Sequence, residues 1–222
     1  MDGTLVDTER LWDVAVYELA EQMGRPLDDA TRERTLGNSL QGFFDILGEY
    51  TGHTIRGEEY ERLAHQLNSR VTELMREDLR WRPGARELLD DIAATGTPVA
   101  LVTNTTTDVA RVPLGFIDSS RFDAVVTGDM VDDPKPAPDP YLLACRLLGA
   151  EPGSAVAVED SVTGATAAVA AGCRVLYVPS TEGQPDVVGA HTHDTLSGVD
   201  TAALSALTSG VPLPEPVRES GA

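Results

Sequence analysis

Four short apolar runs in the second part of the chain constrain its fold more than any other feature. They are rich in β-branched residues, they alternate with helical patterns, and they read PVALVTN (98–104), FDAVVTGD (122–129), SAVAVED (154–160) and CRVLYVP (173–179). Continuous apolar runs of this kind are typical of parallel strands that are covered on both faces. The pattern therefore predicts an α/β core built on an open parallel sheet.

The stretch from residue 10 to residue 79 has a different pattern. Its apolar residues recur every three or four positions, and no strand-like run interrupts them, which is typical of amphipathic helices. We therefore predict an all-helical domain at 10–79, inserted into a discontinuous core domain made of 1–9 and 80–210. Residues 211–222 carry proline and charge without any period, which predicts a flexible tail.

The charge and composition of the chain argue against several classes of partner. The formal net charge is -19 and no cluster of Lys and Arg offsets it, so nucleic acid and anionic membranes are poor partners. No apolar run approaches the ~20 residues of a spanning helix, and no signal-peptide pattern follows Met1. We expect a cytoplasmic monomer, in which Cys145 and Cys173 are small buried hydrophobic residues rather than a disulfide or a metal pair.

Polar residues follow the predicted strands at the points where the strands end. An open parallel sheet binds its ligands beyond the carboxyl ends of its strands, so these residues are the candidate site. They are Thr103, Asn104, Lys135, Glu159 and Asp160, to which the opening MDGT segment adds Asp2.

These residues suit phosphoryl transfer when they are taken together. Carboxylate oxygens are the ligands that Mg²⁺ prefers, and Mg²⁺ commonly shares its shell with a phosphate, for which a lysine is a compact donor. Taken singly, Asp2 fits a solvated terminal carboxylate and Thr103 fits a strand-end cap. Lys135 fits a surface lysine, although the three prolines of KPAPDP stiffen its loop and favour an aimed side chain. Glu159 and Asp160 are harder to explain in that way, because adjacent like charges are costly without a cation.

Four segments, in this order and spacing, resemble the haloacid dehalogenase-like phosphatase superfamily: MDGTLVDTE, LVTN, KPAPDPY and VEDSVTGATAAVAAG. The most similar branch holds beta-phosphoglucomutase-like and phosphoglycolate phosphatase-like enzymes, and the resemblance covers residues 1 to about 180. It implies a Rossmann-like core with an inserted helical cap. It also implies a Mg²⁺-dependent phosphatase that acts on a small phosphorylated metabolite, such as a sugar or another organic monophosphate.

The resemblance also implies a role for each candidate residue. Asp2 matches the general acid and base, whose backbone carbonyl also binds Mg²⁺. Thr103 matches the hydroxyl that holds the phosphate, with the N–H of Asn104 beside it. Lys135 matches the lysine that pairs with the nucleophile and the phosphate. Glu159 and Asp160 match the acids that hold the metal, Asp160 more directly.

The family's nucleophile is an aspartate that would stand one position before Met1, at the end of a central strand. That strand lies, in the family, between the strands that end here at Thr103 and at Glu159. Two interpretations stay open, a sequence that begins late at an internal methionine and a truncated pseudoenzyme. On either interpretation we expect the chain from Met1 to be inactive, and to be less stable than a version with the strand.

Two further classes of function compete with the phosphatase. Mutase members of the family carry a histidine on the first cap helix, and the aligned residue here is Trp12, which favours water as the phosphoryl acceptor. The other alternative is a non-catalytic module that holds Mg²⁺ and a phosphorylated ligand.

Overall fold

The computed structural model describes residues 1–36, 38–181 and 183–209. The predicted tail at 211–222 lies outside these residues. Within them, no helix combines the length and the apolar character that crossing a membrane requires.

Four helices occupy the stretch that the sequence assigns to an all-helical domain. Their bounds are Glu9–Gln22 for α1, Asp29–Thr35 for α2, Leu40–Thr51 for α3 and Gly57–Glu77 for α4. Asp28 and Ser39 begin α2 and α3, because each side chain accepts a hydrogen bond from a backbone N–H of the first turn. The helical character of this stretch is confirmed, whereas the division into two domains stays a prediction.

The apolar faces of these helices pack into one cluster, in which Phe44, Leu47, Leu67 and Val71 are almost completely buried. Burying a side chain of this size contributes about 1.5–3 kcal/mol. Val109 of a core helix belongs to the same cluster, so apolar packing continues from the helical layer into the rest of the molecule.

Five short strands form two parallel sheets in the described part of the chain. β1 (Ala100–Val102) pairs with β2 (Ala124–Val126), while β3 (Val156–Glu159) pairs with β4 (Arg174–Tyr177), which pairs with β5 (His191–Thr192). Each pairing is parallel, which confirms the α/β fold. Among these residues no ladder joins β1 to β3, as expected where the family's central strand would lie between them.

The opening segment forms isolated bridges, and it forms no ladder with β1 or β3. Its backbone is hydrogen-bonded to itself, since the N–H of Leu5 donates to the carbonyl of Met1 (2.8 Å) and the N–H of Gly3 donates to that of Val6 (2.9 Å). The segment is therefore a turn and not a strand. The side chain of Leu5 contacts the two apolar clusters that lie beside the sheets.

Helices cover the strands of the core. They are α5 (Ala85–Thr95), α6 (Thr107–Ile117), α7 (Asp139–Leu148), α8 (Val162–Ala170) and α9 (Thr201–Thr208). α7 packs on β1 and β2, and α8 packs on β3 and β4. The small residues Ala165, Ala167 and Ala168 of α8 are completely buried, so this helix lies close to its strands. Both cysteines are buried, as expected.

Candidate active site

A cavity of about 120 Å³ lies between the carboxyl ends of the strands and the helical layer. Such a volume has room for on the order of ten water molecules, which suits a small metabolite. Its core wall contains all of the predicted site residues, namely Asp2, Thr103, Asn104, Lys135, Glu159 and Asp160. Its helical wall includes Glu9, Trp12, Arg32, Asn38, Ser39 and Asn68. The structure thus brings the predicted residues together, while their chemical roles stay predictions.

Three hydroxyl groups orient the carboxylate of Asp2. Thr8 donates to Oδ1 (2.8 Å), and Thr105 and Thr103 donate to Oδ2 (2.8 Å and 3.4 Å). The next residue, Gly3, has a φ of +66°, and a Cβ atom there would lie 2.1 Å from Oδ2 of Asp160. Glycine is therefore required where the opening turn meets the end of β3. Sequence reasoning did not identify Thr8 or Thr105, although the TNTTT run was a signal for the second.

Asn104 holds the loop that carries Lys135. Its side-chain amide donates to the Lys135 carbonyl, its side-chain oxygen accepts from the Lys135 N–H, and both distances are 3.0 Å. A Cβ atom at Gly128 would lie 2.2 Å from the Asn104 carbonyl oxygen, so this loop also packs against glycine. The Asn104 side chain thus positions the lysine, whereas the resemblance concerns the backbone N–H.

The ammonium group of Lys135 lies between the two sheets. It donates to the carbonyl of Val102 at the end of β1 (3.1 Å) and forms a buried ion pair with Glu159 at the end of β3. Tyr141 donates its hydroxyl to the same carboxylate oxygen, and its ring centre lies 5.1 Å from the ammonium. Burial and the charge of Glu159 raise the pKa of Tyr141 well above its ordinary value, so the hydroxyl keeps its proton. Sequence reasoning missed Tyr141.

Asp160 is buried without a cationic side chain. Thr4 donates to its Oδ1 (2.7 Å), and among the described residues no lysine or arginine forms an ion pair with it. Burial, and then the charge of Glu159, raise its pKa, while the positively charged N-terminus of Met1 acts in the opposite direction. A buried acid of this kind is stabilised by a cation, and its hard oxygen atoms suit Mg²⁺.

The residues present therefore fit Mg²⁺ in donor type, with Asp160 and the carbonyl of Asp2 as candidate ligands. Glu159 shares its Oε1 atom with Lys135 and Tyr141, and its predicted part in holding the metal stays a prediction. Over the described ranges, no group of three or more His, Cys, Asp or Glu residues is arranged as a metal site. A magnesium ion here would rely on water and phosphate for the rest of its shell.

The helical wall carries an ion-pair cluster that sequence reasoning did not identify. Arg32 donates through Nε to Asp13 (2.7 Å), through Nη1 to Thr35 (2.9 Å) and through Nη2 to Glu9 (3.2 Å). Burial, and then the charge of Asp160, raise the pKa of Glu9 to about 7, although Arg32 acts in the opposite direction. The signal for Glu9 was its place in MDGTLVDTE, whereas Arg32 had none.

Comparisons with known proteins bear on this arrangement. A family model described as haloacid dehalogenase-like hydrolase matches residues 1–178. The phosphorylated carbohydrates phosphatase of Thermotoga maritima is 34% identical over 179 residues, which are 80% of this chain and 81% of that protein. A mutant of CbbY from Rhodobacter sphaeroides, in complex with xylulose-(1,5)bisphosphate, aligns with a TM-score of 0.79 and 27% identity, over 92% of this chain and 96% of that chain. The beta-phosphoglucomutase of Clostridium difficile has a similar fold, with a TM-score of 0.83 at 22% identity and 94% coverage of each chain.

Proposed function

Because the chain belongs to the haloacid dehalogenase-like hydrolase family, we propose that it is a Mg²⁺-dependent phosphatase acting on a small phosphorylated metabolite. The resemblance drawn from its sequence motifs is confirmed by the family match. One observation carries the proposal, the convergence of Asp2, Thr103, Lys135 and Asp160 on a single cavity. A sugar or another organic monophosphate is the expected substrate, in keeping with the relative that is named for phosphorylated carbohydrates.

Binding of the phosphate is the task of Thr103 and Lys135. The Thr103 hydroxyl and the Lys135 ammonium are donors for phosphoryl oxygens, and both lie on the core wall of the cavity. The ammonium would leave part of its contact with Glu159 to reach the phosphate. Tyr141 would keep Glu159 hydrogen-bonded during that movement, because it donates to the same oxygen atom.

Proton transfer is the task of Asp2. Its carboxyl group would protonate the oxygen atom of the leaving metabolite and would later take a proton from the attacking water. Three threonine hydroxyls hold this carboxylate in one orientation, which keeps its oxygen atoms at a defined place in the cavity.

Covalent chemistry would proceed through an aspartyl-phosphate, as the family resemblance implies. The attacking carboxylate bonds to phosphorus while the bond from phosphorus to the metabolite's oxygen breaks, and water then releases inorganic phosphate. This carboxylate corresponds to the position before Met1. Mg²⁺, when bound by Asp160 and the Asp2 carbonyl, supplies positive charge that offsets the charge of the phosphate.

Trp12 favours hydrolysis over the phosphomutase alternative. It lines the cavity at the position where mutase members carry a histidine, and an indole N–H donates a hydrogen bond but cannot accept a proton. Incubation of a version preceded by an apolar strand ending in Asp with a hexose 1-phosphate tests this choice by mass analysis of the products. Free phosphate is expected, and a 6-phosphate isomer without free phosphate would establish the mutase.

The metal requirement is tested with a version of the chain that is preceded by an apolar strand ending in Asp. Phosphate release should depend on added Mg²⁺, should stop in excess chelator, and should fall at least about 100-fold in Asp160→Asn. Asp194→Asn is a matched control, since Asp194 lies outside this cavity. Undiminished release in chelator would remove the metal from the mechanism.

A further inference from the structure

The ion-pair cluster on the helical wall has no role in the proposed mechanism. We call it the Arg32 cluster, and it consists of Arg32 with Glu9, Asp13 and Thr35. Both of its main partners are carboxylates, those of Glu9 and Asp13, and the third is the Thr35 hydroxyl. The side chain of Arg32 is 10% exposed and that of Glu9 is 25% exposed. All three guanidinium nitrogens are therefore engaged by the protein, and Glu9 retains contact with the cavity that it lines.

The charges of the cavity decide what this wall can accept. Among the described residues that line it, Arg32 and Lys135 are the only side-chain cations, and both are ion-paired. A second anion at the helical wall would have to displace Glu9 or Asp13 from Arg32. It would also face the charge of Glu9 in a partly desolvated space, where repulsion between like charges is strong.

The groups that remain on this wall suit neutral, hydroxylated ligands. A carboxylate oxygen accepts hydrogen bonds from hydroxyl groups, and the amides of Asn38 and Asn68 offer both donors and acceptors beside it. Trp12 adds an apolar face against which the carbon atoms of a sugar or a sugar alcohol can pack.

We infer that Glu9, held by Arg32, is a specificity-determining residue that selects monophosphates of neutral polyols and sugars and rejects substrates with a second anionic group. The inference rests on the proposed function and deepens it. The Glu9 carboxylate accepts hydrogen bonds from hydroxyls of the substrate, and its charge excludes a carboxylate or a second phosphate at that place.

The test compares two ligands that differ in one group. Sorbitol 6-phosphate and 6-phosphogluconate share a six-carbon hydroxylated chain and one phosphate, but the second ends in a carboxylate. Calorimetry with Mg²⁺ at pH 8 should show that the chain binds sorbitol 6-phosphate at least about 10-fold more tightly, and Glu9→Gln should bring the two affinities within about threefold. Inorganic phosphate is the reference ligand, because it has neither hydroxylated carbons nor a second anionic group, and the ratio of the two sugar-derived affinities is the quantity that decides.

Two further variants separate the charge of Glu9 from its packing. Glu9→Asp keeps the charge and should keep the preference for sorbitol 6-phosphate. Glu18→Gln is a matched control on the same helix, since Glu18 pairs with Arg70 (2.8 Å) outside the cavity, and it should leave both affinities unchanged.

The outcomes distinguish this inference from the proposed function. Equal binding of the two ligands by the unaltered chain, or an unchanged ratio in Glu9→Gln, would overturn the role of Glu9 and leave the phosphatase proposal standing. If the chain binds neither ligand nor inorganic phosphate, the proposed function fails, and the inference fails with it.

Discussion

The two walls of the cavity satisfy their charges in different ways. On the core wall, Lys135 is paired with Glu159, while the buried Asp160 has no cationic side chain beside it in the described part of the chain. On the helical wall, Arg32 is surrounded by two carboxylates and a hydroxyl. On the proposals made above, the core wall receives a cation and a phosphate, whereas the helical wall repels further negative charge and accepts hydrogen bonds from hydroxyl groups.

The largest effect is expected for the chemistry of the core wall. Phosphate release should require an aspartate directly before Met1, because the proposed aspartyl-phosphate chemistry needs a carboxylate at that place. A version preceded by an apolar strand ending in Asp should release phosphate and melt at a higher temperature. The same version ending in Asn should melt at the higher temperature but should not release phosphate.

One phosphate-release assay and one thermal melt on the three versions make this comparison. Full activity of the chain from Met1, or equal activity of the Asp and Asn versions, would contradict the assignment of the nucleophile.

A smaller effect is expected when Lys135 is removed from the active version. Lys135→Ala should lower kcat/KM by about 100-fold or more, because a charged donor to the phosphate is lost. It should also destabilise the fold by about 3–5 kcal/mol, since Glu159 is left as an unpaired buried charge. Denaturant unfolding and steady-state kinetics measure the two effects.

The double variant Lys135→Met with Glu159→Gln is the control for this prediction. It removes both charges, so it should recover most of the stability without recovering the activity. If both the stability and the activity are recovered, Lys135 stabilises the fold and does not bind the phosphate.

The helical wall should show its own signature in the pH dependence of stability. The pKa of Glu9 is raised from 4.5 to about 7 in the folded chain. Between these values the folded state holds a proton that the unfolded state has released, so stability falls as the pH rises through this window. Glu9→Gln has no carboxyl group to titrate, so it should not lose stability in this way. Its free energy of unfolding minus that of the unaltered chain should therefore increase by up to about 3 kcal/mol from pH 4.5 to pH 7.5.

Urea unfolding in chelator at several pH values measures this difference. The control is Glu18→Gln. A hydrogen bond from Arg70 lowers the pKa of Glu18, so the contribution of Glu18 to stability decreases as the pH falls, which is the opposite of the dependence expected for Glu9. If the difference in unfolding free energy between the unaltered chain and Glu9→Gln does not change with pH, the Glu9 carboxylate is ionised over the whole pH range, like an exposed carboxylate.

The smallest effect is expected for Tyr141, which supports the core wall without touching the phosphate. Tyr141→Phe removes one buried donor to Glu159, which should cost about 1–2 kcal/mol of stability. Lys135 should then be held more tightly by Glu159, so KM should rise several-fold while kcat changes less. Tyr17→Phe is the control, since Tyr17 donates to Asp29 on the exposed surface of the helical layer. A loss confined to kcat would contradict this positioning role.

The sequence alone determined the fold class and the membership of the core wall. The apolar runs specified parallel strands, and the carboxyl ends of parallel strands lie together, so the residues that follow them could be assigned to one site before any contact was known. The helical pattern of 10–79 followed from spacing in the same way. These properties are local in the chain or follow directly from the topology.

The tertiary structure decided which of these groups pair with one another. Glu159 is adjacent to Asp160 in the sequence, and folding places it against Lys135 and Tyr141, which are 24 and 18 residues away. The contact between Glu9 and Arg32 spans 23 residues and depends on how α1 packs against α2. Side-chain pairing across such separations is set by the positions of whole helices and strands, and no short motif encodes it. The six candidate residues of the core wall could therefore be predicted from the chain, whereas their supporting partners, the helical wall and the distribution of charge required the fold.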